Sequence, residues 1–273
     1  EHRPKSIAQL QAAAAIGQMG LIQHYQTSFD QHGVKTAQVL LTHADLRARD
    51  RYLNARNTLT NLLALGVVPI VNENDTVVTD EIRFGDNDTL AALVANLIDA
   101  KKLVLLTDQI GLFERDPRVD PKANMITSIA ASDASLDNVA GVGGKWGRGG
   151  MISKVKAARI AARSGCQTSI CSGSEPHILR SILSGASPGT VIHADKPVLG
   201  ARKQWLASLP ISGTLTIDAG AVRALIDDSK SLLAVGITEV QGAFAQGELV
   251  LCLDDRGVEI CRGLTNYTSA ELM

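Results

Sequence analysis

Residues Gly147 to Lys154 read Gly-Arg-Gly-Gly-Met-Ile-Ser-Lys and run directly into the alanine-rich stretch Val155 to Ala162. Glycines at the mouth of a helix leave backbone N–H groups accessible, and the helix dipole makes that end attractive to anions. A lysine in the first turn leans its side chain back toward the helix N-terminus. An ammonium group and a cluster of amide donors then converge on one point, which suits a polyphosphate. The spacing is not that of the Walker motif, where lysine directly follows the last glycine. Taken alone, the segment is also compatible with a glycine-rich surface turn.

Two further segments carry more polar groups than local structure needs. Gly85-Asp86-Asn87-Asp88 precedes a helical pattern starting at Thr89, and one Asp or Asn would suffice as its cap. Asn72-Glu73-Asn74-Asp75 follows a short apolar run. Carboxylates and amide oxygens hold an ammonium group, while amide NH2 groups and a helix N-terminus hold a carboxylate. Together these are the two partners a free amino acid requires. Thr107-Asp108 with Gly111 reads locally as a turn, and Arg115-Asp116-Pro117-Arg118 as a solvated loop.

The elements that must position these groups alternate in type. Helical patterns run from about Ser6 to Gln31, over 50–65, 88–98, 150–163 and 175–183, the last capped by Ser174. Strand patterns occupy 36–41, 67–71, 103–106, 167–171 and 191–192, and the runs at 67–71 and 103–106 read as buried on both faces. Repeated β-α-β units predict a doubly wound α/β sheet, an αβα sandwich with a mainly parallel sheet. Ligands in such sheets bind beyond the carboxyl ends of the strands, where the segments at 72–75, 107–108 and 147–154 fall. The texture changes near Asp195-Lys196-Pro197. Strands are expected at 213–218, 236–240, 248–253 and 258–262, with a helix at 219–226 and a hairpin turn at Asp254-Asp255-Arg256-Gly257. This predicts a first domain over 1–200 and a small, mostly β domain over 205–273.

Composition narrows the function classes. The 273 residues carry 27 basic and 28 acidic side chains, a balance that gives no global pull toward nucleic acid or membrane. Only 3% of residues are aromatic, so the core rests on Ala, Val, Leu and Ile, as expected for helices on a buried sheet. No apolar run is long enough to span a bilayer. The cysteines at 166, 171, 252 and 261 form no Cys-x-x-Cys pair and no metal-binding spacing, which reads as reduced thiols in a cytoplasmic protein. No metal ligands are assigned. The chain opens on Glu1 inside a helical pattern, and Thr268 to Met273 resembles the start of another helix, so both ends are expected to be cut from a longer protein.

Several segments in combination resemble the amino-acid kinase family, more narrowly its glutamate 5-kinases. They are Asn-Glu-Asn-Asp at 72–75, Phe-Gly-Asp-Asn-Asp at 84–88, Leu-Leu-Thr-Asp-Gln at 105–109 and Gly-Gly-Met-Ile-Ser-Lys at 149–154, with Leu-Leu-Thr at 40–42, Asn54-Ala55-Arg56 and Asp116-Pro117-Arg118. The part beyond about residue 205 resembles the PUA domain that many bacterial glutamate 5-kinases carry. The resemblance implies phosphorylation of the γ-carboxylate of L-glutamate by ATP with Mg2+, the first step of proline biosynthesis. It implies that Asp75 and Asn87 contact glutamate, with Asn72 and Asp86 nearby, and that Thr107 and Asp108 contact ATP. Arg148, Gly149, Gly150, Met151, Ile152, Ser153 and Lys154 would line the phosphates. Lys154 would stabilise the transferring phosphoryl group, and Asp88 would orient lysine side chains. The family's N-terminal Lys-Leu-Gly motif and its Ser-Gly-Ala segment do not appear, so this chain alone is expected to be incomplete as a catalyst. A homo-oligomer is expected, of unspecified order.

Two other readings stay open on the sequence. One is a kinase of the same fold acting on aspartate or acetylglutamate. The other is an RNA-binding protein using the PUA-like part, although residues 205–273 hold four basic and nine acidic side chains, the reverse of what a phosphate backbone attracts.

Overall fold

Ser6 accepts the Gln9 N–H at 3.3 Å and so opens α1 (Ile7–Asp30), as a helix N-cap does. In this computed structural model the described residues are 6–77, 87–115, 117, 119–141, 148–195, 206, 209–228 and 230–272. The expectations placed on Phe84, Gly85, Asp86, Asp116, Arg118 and Gly147 lie outside them. By contact the chain divides into two compact units, Glu1–Gly200 and Ala201–Met273. No helix among the described residues is long and apolar enough to cross a membrane.

In the first unit α1 leads to β1 (Thr36–Leu41). A short helix that hydrophobic periodicity did not announce comes next, α2 (His43–Arg47), started by a reciprocal capping box between Thr42 and Asp45. Then come α3 (Arg49–Ala64), β2 (Val68–Glu73), α4 (Asn87–Leu97) and β3 (Lys102–Thr107). A small ribbon, β4 (Leu112–Phe113) with β5 (Met125–Ile126), precedes β6 (Ser128–Ala130) and α5 (Ser135–Gly141). The unit finishes with α6 (Arg148–Ala162), β7 (Gln167–Ser172), α7 (Ile178–Leu183) and β8 (Thr190–His193).

β1 and β2 pair in parallel, with Leu41 opposite Glu73. A second sheet has the order β3-β7-β8-β6, in which β3 is parallel to β7 and β6 to β8, while β7 and β8 are antiparallel. Side chains alternate between the faces of a strand. Cys171 and Val104 pack with Ile178 and Ile182 of α7 on one face. α4 and α6 contact β3 and β7 and pair closely with each other, so helices cover the sheet from both sides. The expected αβα architecture is present, with one antiparallel pairing, β7 with β8, so that β6 and β8 run opposite to β3 and β7.

Two local expectations are corrected. The strands at 67–71 and 103–106 were expected to be buried on both faces. Instead β2 is only partly buried until Glu73, and Leu106 of β3 is 48% exposed. The reason is topological. β2 and β3 are each an edge of their sheet among the described residues, and a cavity of about 430 Å3 separates them, lined by Val71, Leu90, Val94, Ile98 and Leu103. The helix expected over 175–183 begins only at Ile178, and Ser174 does not cap it. His177 precedes the helix in the left-handed conformation with no side-chain cap, and the Ser174 hydroxyl bonds the Ser172 hydroxyl at 2.8 Å.

The second unit places β9 (Gly213–Ile217), α8 (Ala219–Ile226), β10 (Ile237–Gln241), β11 (Leu249–Leu253) and β12 (Glu259–Leu264) around Leu215, Ile217, Phe244, Val250 and Cys252. The strand order is β10-β9-β11-β12. The hairpin expected at 254–257 forms: Asp254 Oδ1 accepts the Arg256 and Val258 N–H groups at 3.0 and 2.8 Å, and Gly257 takes φ 77°, a conformation costly for other residues.

Polar contacts pin the α4–α6 pair at the C-terminal end of both helices. Buried Asn96 of α4 donates to the Ile160 carbonyl of α6 at 2.9 Å and accepts from the Ser164 hydroxyl. Arg56 of α3 donates to the Leu97 carbonyl at 2.8 Å and pairs with Asp99, placing a cation at the C-terminal end of α4. Asn96→Ala removes both Asn96 bonds inside the core. It should destabilise the first unit by about 1–3 kcal/mol and lower the melting midpoint by roughly 2 to 10 °C, as read by circular dichroism. An unchanged melt would show that these bonds do not hold the helix pair.

Candidate functional site

The first turns of α4 and α6 meet. Asp88 lies in the first turn of α4, where a carboxylate is favoured by the exposed N–H groups and the positive end of the dipole. From α6, the Lys154 Nζ donates to Asp88 Oδ2 at 2.8 Å, with the two side chains 13% and 19% exposed. The Ser153 hydroxyl lies 2.7 Å from Asp88 Oδ2 and 2.9 Å from the Gly150 carbonyl, so it ties the α6 turn to the same carboxylate.

The start of α6 differs from the expectation in one respect. Arg148 already belongs to the helix, so Gly149 and Gly150 lie within its first turn and Lys154 in its second. The amides of residues 148–150 still have no intrahelical acceptor. A Cβ built on Gly150 would meet nothing within 4 Å, so the space beside that turn is open. Met151 and Ile152 continue the helix, Met151 partly buried and Ile152 44% exposed.

Thr107 ends β3 and Asp108 follows it at the carboxyl edge of the sheet. The Thr107 hydroxyl donates to Asp108 Oδ1 at 3.0 Å and the Gln109 amide to Oδ2 at 3.3 Å. These bonds, with a smaller contribution from the Lys154 charge, hold the Asp108 carboxyl below its usual range. Lys154 therefore has Asp88 in contact and the field of ionised Asp108 nearby. The Thr107 carbonyl also accepts the Gly173 N–H at 2.8 Å, which brings Ser172, Gly173 and Ser174 to this edge. That serine-glycine-serine turn drew no functional reading from the sequence, since it looks like an ordinary strand-to-helix connection.

A second group gathers at the end of β2. The strand runs two residues further than its apolar run suggested, so Asn72 and Glu73 are strand residues and the turn begins after them. The Asn72 amide donates to Gln18 Oε1 of α1 at 2.9 Å, a contact across 54 residues that no local signal could have shown. Asp75 is exposed in the turn that follows. Glu73 is 5% exposed, and its Oε1 has no hydrogen-bond partner among the described residues. Burial, and then the nearby Asp75 charge, push its carboxyl above the usual range. Asn87 stands between the two groups. It precedes Asp88, is exposed, and lines the cavity beside Val71, the β2 residue before Asn72.

The structure thus joins Asp88, Ser153, Lys154, Thr107 and Asp108 in one cluster and Asn72, Glu73 and Asp75 in another, with Asn87 at their boundary. The first is a fixed cation beside open helix-end amides, suited to polyphosphate. The second is a set of carboxyl and amide groups suited to an amino acid.

Glu73 gives this geometry a pH signature. Its raised native pKa means that the neutral form fits the fold best. The associated stability is present below the unfolded carboxyl value of about 4.3 and is lost as pH rises through the native value. Glu73→Gln should melt higher than the unaltered chain at neutral pH, and the gap should close on acidification below that value. A gap independent of pH would show that Glu73 is ionised without penalty.

A model of the amino acid kinase family matches residues 2–172, and a model of the PUA domain matches residues 213–273. Glutamate 5-kinase of Burkholderia multivorans is 57% identical over 271 residues, covering 98% of this chain and 73% of that protein. Glutamate 5-kinase of Chromohalobacter salexigens is 56% identical over 270 residues, covering 98% of this chain and 71% of that one. Among solved structures, UMP kinase from Bacillus anthracis is 16% identical over 62% of each chain, with a TM-score of 0.43.

Proposed function

The chain belongs to the amino acid kinase family, and on that premise we propose that its two polar clusters carry out phosphorylation of L-glutamate by ATP. The product is γ-glutamyl phosphate, which opens proline biosynthesis. The observation that carries the assignment of residues is the Lys154–Asp88 pair that ties the second turn of α6 to the first turn of α4, beside the open space at Gly150.

In this reading a γ-carboxylate oxygen of glutamate attacks the γ-phosphorus in line. A new P–O bond forms, the bond to the β–γ bridging oxygen breaks, and ADP leaves. The nucleophile is already an anion, so no general base is required. The obstacle is charge. Two unit charges 4 Å apart repel by about 4 kcal/mol at an effective dielectric constant near 20, and a triphosphate carries more than one. Lys154 and the amides of 148–150 supply fixed positive charge at that point, and preorganised donors of this kind are worth roughly a hundredfold or more in rate each.

Asp88 orients Lys154 and does not touch the substrate. Arg148 to Ser153 line the phosphates, and Thr107 and Asp108 contact the nucleotide. Mg2+ held by nucleotide phosphates needs only one or two protein carboxylates, and exposed, ionised Asp108 fits that need. Asp108 would hold the ion, which would supply positive charge at the nucleotide phosphates. Asp75 and Asn87 hold glutamate, with Asn72 beside them. Asp86 shares that role from the sequence resemblance alone. The reading includes a cytoplasmic homo-oligomer, supported by apolar side chains that α1 leaves exposed, Ile16 at 77% and Met19 at 74%.

The decisive test separates chemistry from binding. In a glutamate-dependent ADP-release assay, Lys154→Ala should lower kcat at least about a hundredfold and leave the glutamate KM nearly unchanged. Asp75→Ala should chiefly raise that KM. Near-normal kcat in Lys154→Ala, or dependence on aspartate or acetylglutamate in place of glutamate, would overturn the reading.

Gly150→Ala distinguishes a phosphate seat from a merely tolerant turn. A Cβ there has free space in the protein, and alanine favours a helix over glycine by about 1 kcal/mol. Thermal stability should hold or rise while the ATP KM rises severalfold. An ATP KM that stayed constant would place the phosphates elsewhere.

A further inference from the structure

In the second unit two sulfur side chains stand opposite each other. Cys252 of β11 and Cys261 of β12 are register partners in an antiparallel pair. Directly opposed residues in such a pair have Cα atoms about 4.5–5.5 Å apart, inside the roughly 4.4–6.8 Å window in which two cysteines can be bridged. The two thiols interact across the strand pair. Both are free thiols.

Their surroundings differ. Cys252 is 3% exposed and belongs to the core with Leu215, Ile217 and Val250. Cys261 is only partly buried, on the outer strand of the sheet order β10-β9-β11-β12. The neighbouring Cys252 thiol draws the Cys261 thiol down to about 7, against its own partial burial and the Glu259 carboxylate, while the Cys252 thiol is pushed up. A reachable thiolate with a buried thiol behind it is the arrangement of an attacking and a resolving cysteine. Cys166 and Cys171 of the first unit are buried, their thiols are raised by that burial, Cys166 to about 11, and neither has a cysteine opposite it.

We propose that Cys252 and Cys261 are a redox-active dithiol that closes to a cross-strand disulfide on reaction with a low-molecular-weight disulfide. The Cys261 thiolate attacks one sulfur of that reagent, forming a mixed disulfide and expelling one thiolate. Cys252 then loses its proton and attacks Cys261 Sγ, forming the protein disulfide and expelling the second thiolate. The two expelled thiolates take up the two protons. Two electrons pass from the protein thiols to the reagent, which is reduced to two thiols.

The sequence between the two cysteines makes the product easy to read. Trypsin cuts after Lys230, Arg256 and Arg262, so Cys252 falls in residues 231–256 and Cys261 in 257–262. The folded chain is treated with oxidised glutathione, its remaining thiols are blocked with N-ethylmaleimide, and the digest is analysed by mass spectrometry. The expected product is these two peptides joined and two hydrogens lighter than their sum, with Cys166 and Cys171 unmodified by glutathione. Cys252→Ala should stall with glutathione on Cys261, and Cys261→Ala should leave Cys252 free. Without oxidant, Cys261 should be alkylated at pH 7 more than about tenfold faster than Cys166, and Cys252→Ala should slow it. An unlinked pair after oxidation, or a glutathione adduct on Cys261 that persists in the unaltered chain, would overturn the proposal. Circular dichroism of each variant shows whether it is folded, so an unfolded Cys252→Ala chain does not remove the linkage test on the unaltered protein.

Discussion

In the first unit one ammonium group is held by a carboxylate on another helix, Lys154 of α6 by Asp88 of α4. A lysine head is a compact charge on a flexible four-carbon stem, and holding such a side chain still costs about 1.5–2 kcal/mol of rotamer freedom. In this fold the restraint is applied from a different helix, through Asp88 at 2.8 Å. The restraint is useful only if the two helices themselves do not shift. α4 and α6 pack against each other, and both bury small side chains: Ala92 and Ala95 in α4, and Ala157, Ala158 and Ala161 in α6, are all at most 5% exposed. Small residues leave few rotamers to rearrange.

Asp88 has an electrostatic cost, because it offsets part of the positive charge it positions. In the proposed reading two features offset that cost. The carboxylate lies at a helix N-terminus, where unpaired N–H groups and the dipole stabilise it by about 0.3–1 kcal/mol. The open amides at the start of α6 add donors that Asp88 does not neutralise. A fixed, partly compensated cation loses less on reorganisation than a free one, and in a phosphoryl transfer the position of charge at the moment of bond exchange decides the rate. Ser153 strengthens the same arrangement by tying the Gly150 carbonyl, and with it the first turn of α6, to Asp88.

Most of this scaffold was legible because its determinants are local. The 3.6-residue and two-residue periods marked α1, α3, α4 and α6 and the main strands, and Asp254 with Gly257 marked the hairpin. Most of the failures share a cause as well: they depend on something distant in the chain or on a partner the pattern does not name. Ser174 looked like a helix cap, yet its hydroxyl pairs with Ser172. The apolar run at 67–71 looked fully buried, but burial is set by which strand lies alongside, and β2 has β1 as its strand neighbour on one side and a cavity on the other. α2 was missed because a five-residue helix has too few turns to show a period, although Thr42 and Asp45 carry its capping box in plain view. In the site, charged and glycine-rich segments stood out by excess polarity. Glu73 lay within one of them, but nothing local showed that its carboxyl is buried. Gln18 could not be tied to Asn72 without the fold.

Charge also separates the two units in kind. In the first, Lys154 stands beside the open amides at the start of α6. Residues 205–273 carry nine acidic and four basic side chains, and Arg262 is engaged with Glu259 at 2.8 Å, Lys230 with Asp228 at 3.0 Å. Half of those cations therefore have a neighbouring carboxylate. A nucleic-acid surface needs unpaired cations to displace counterions from phosphate, and a segment in which acids outnumber bases presents a repulsive field instead. The charge balance of residues 205–273 thus weighs against an RNA-binding surface. Both readings turn on where positive charge can act on phosphate, and the proposed kinase reading puts it at the start of α6.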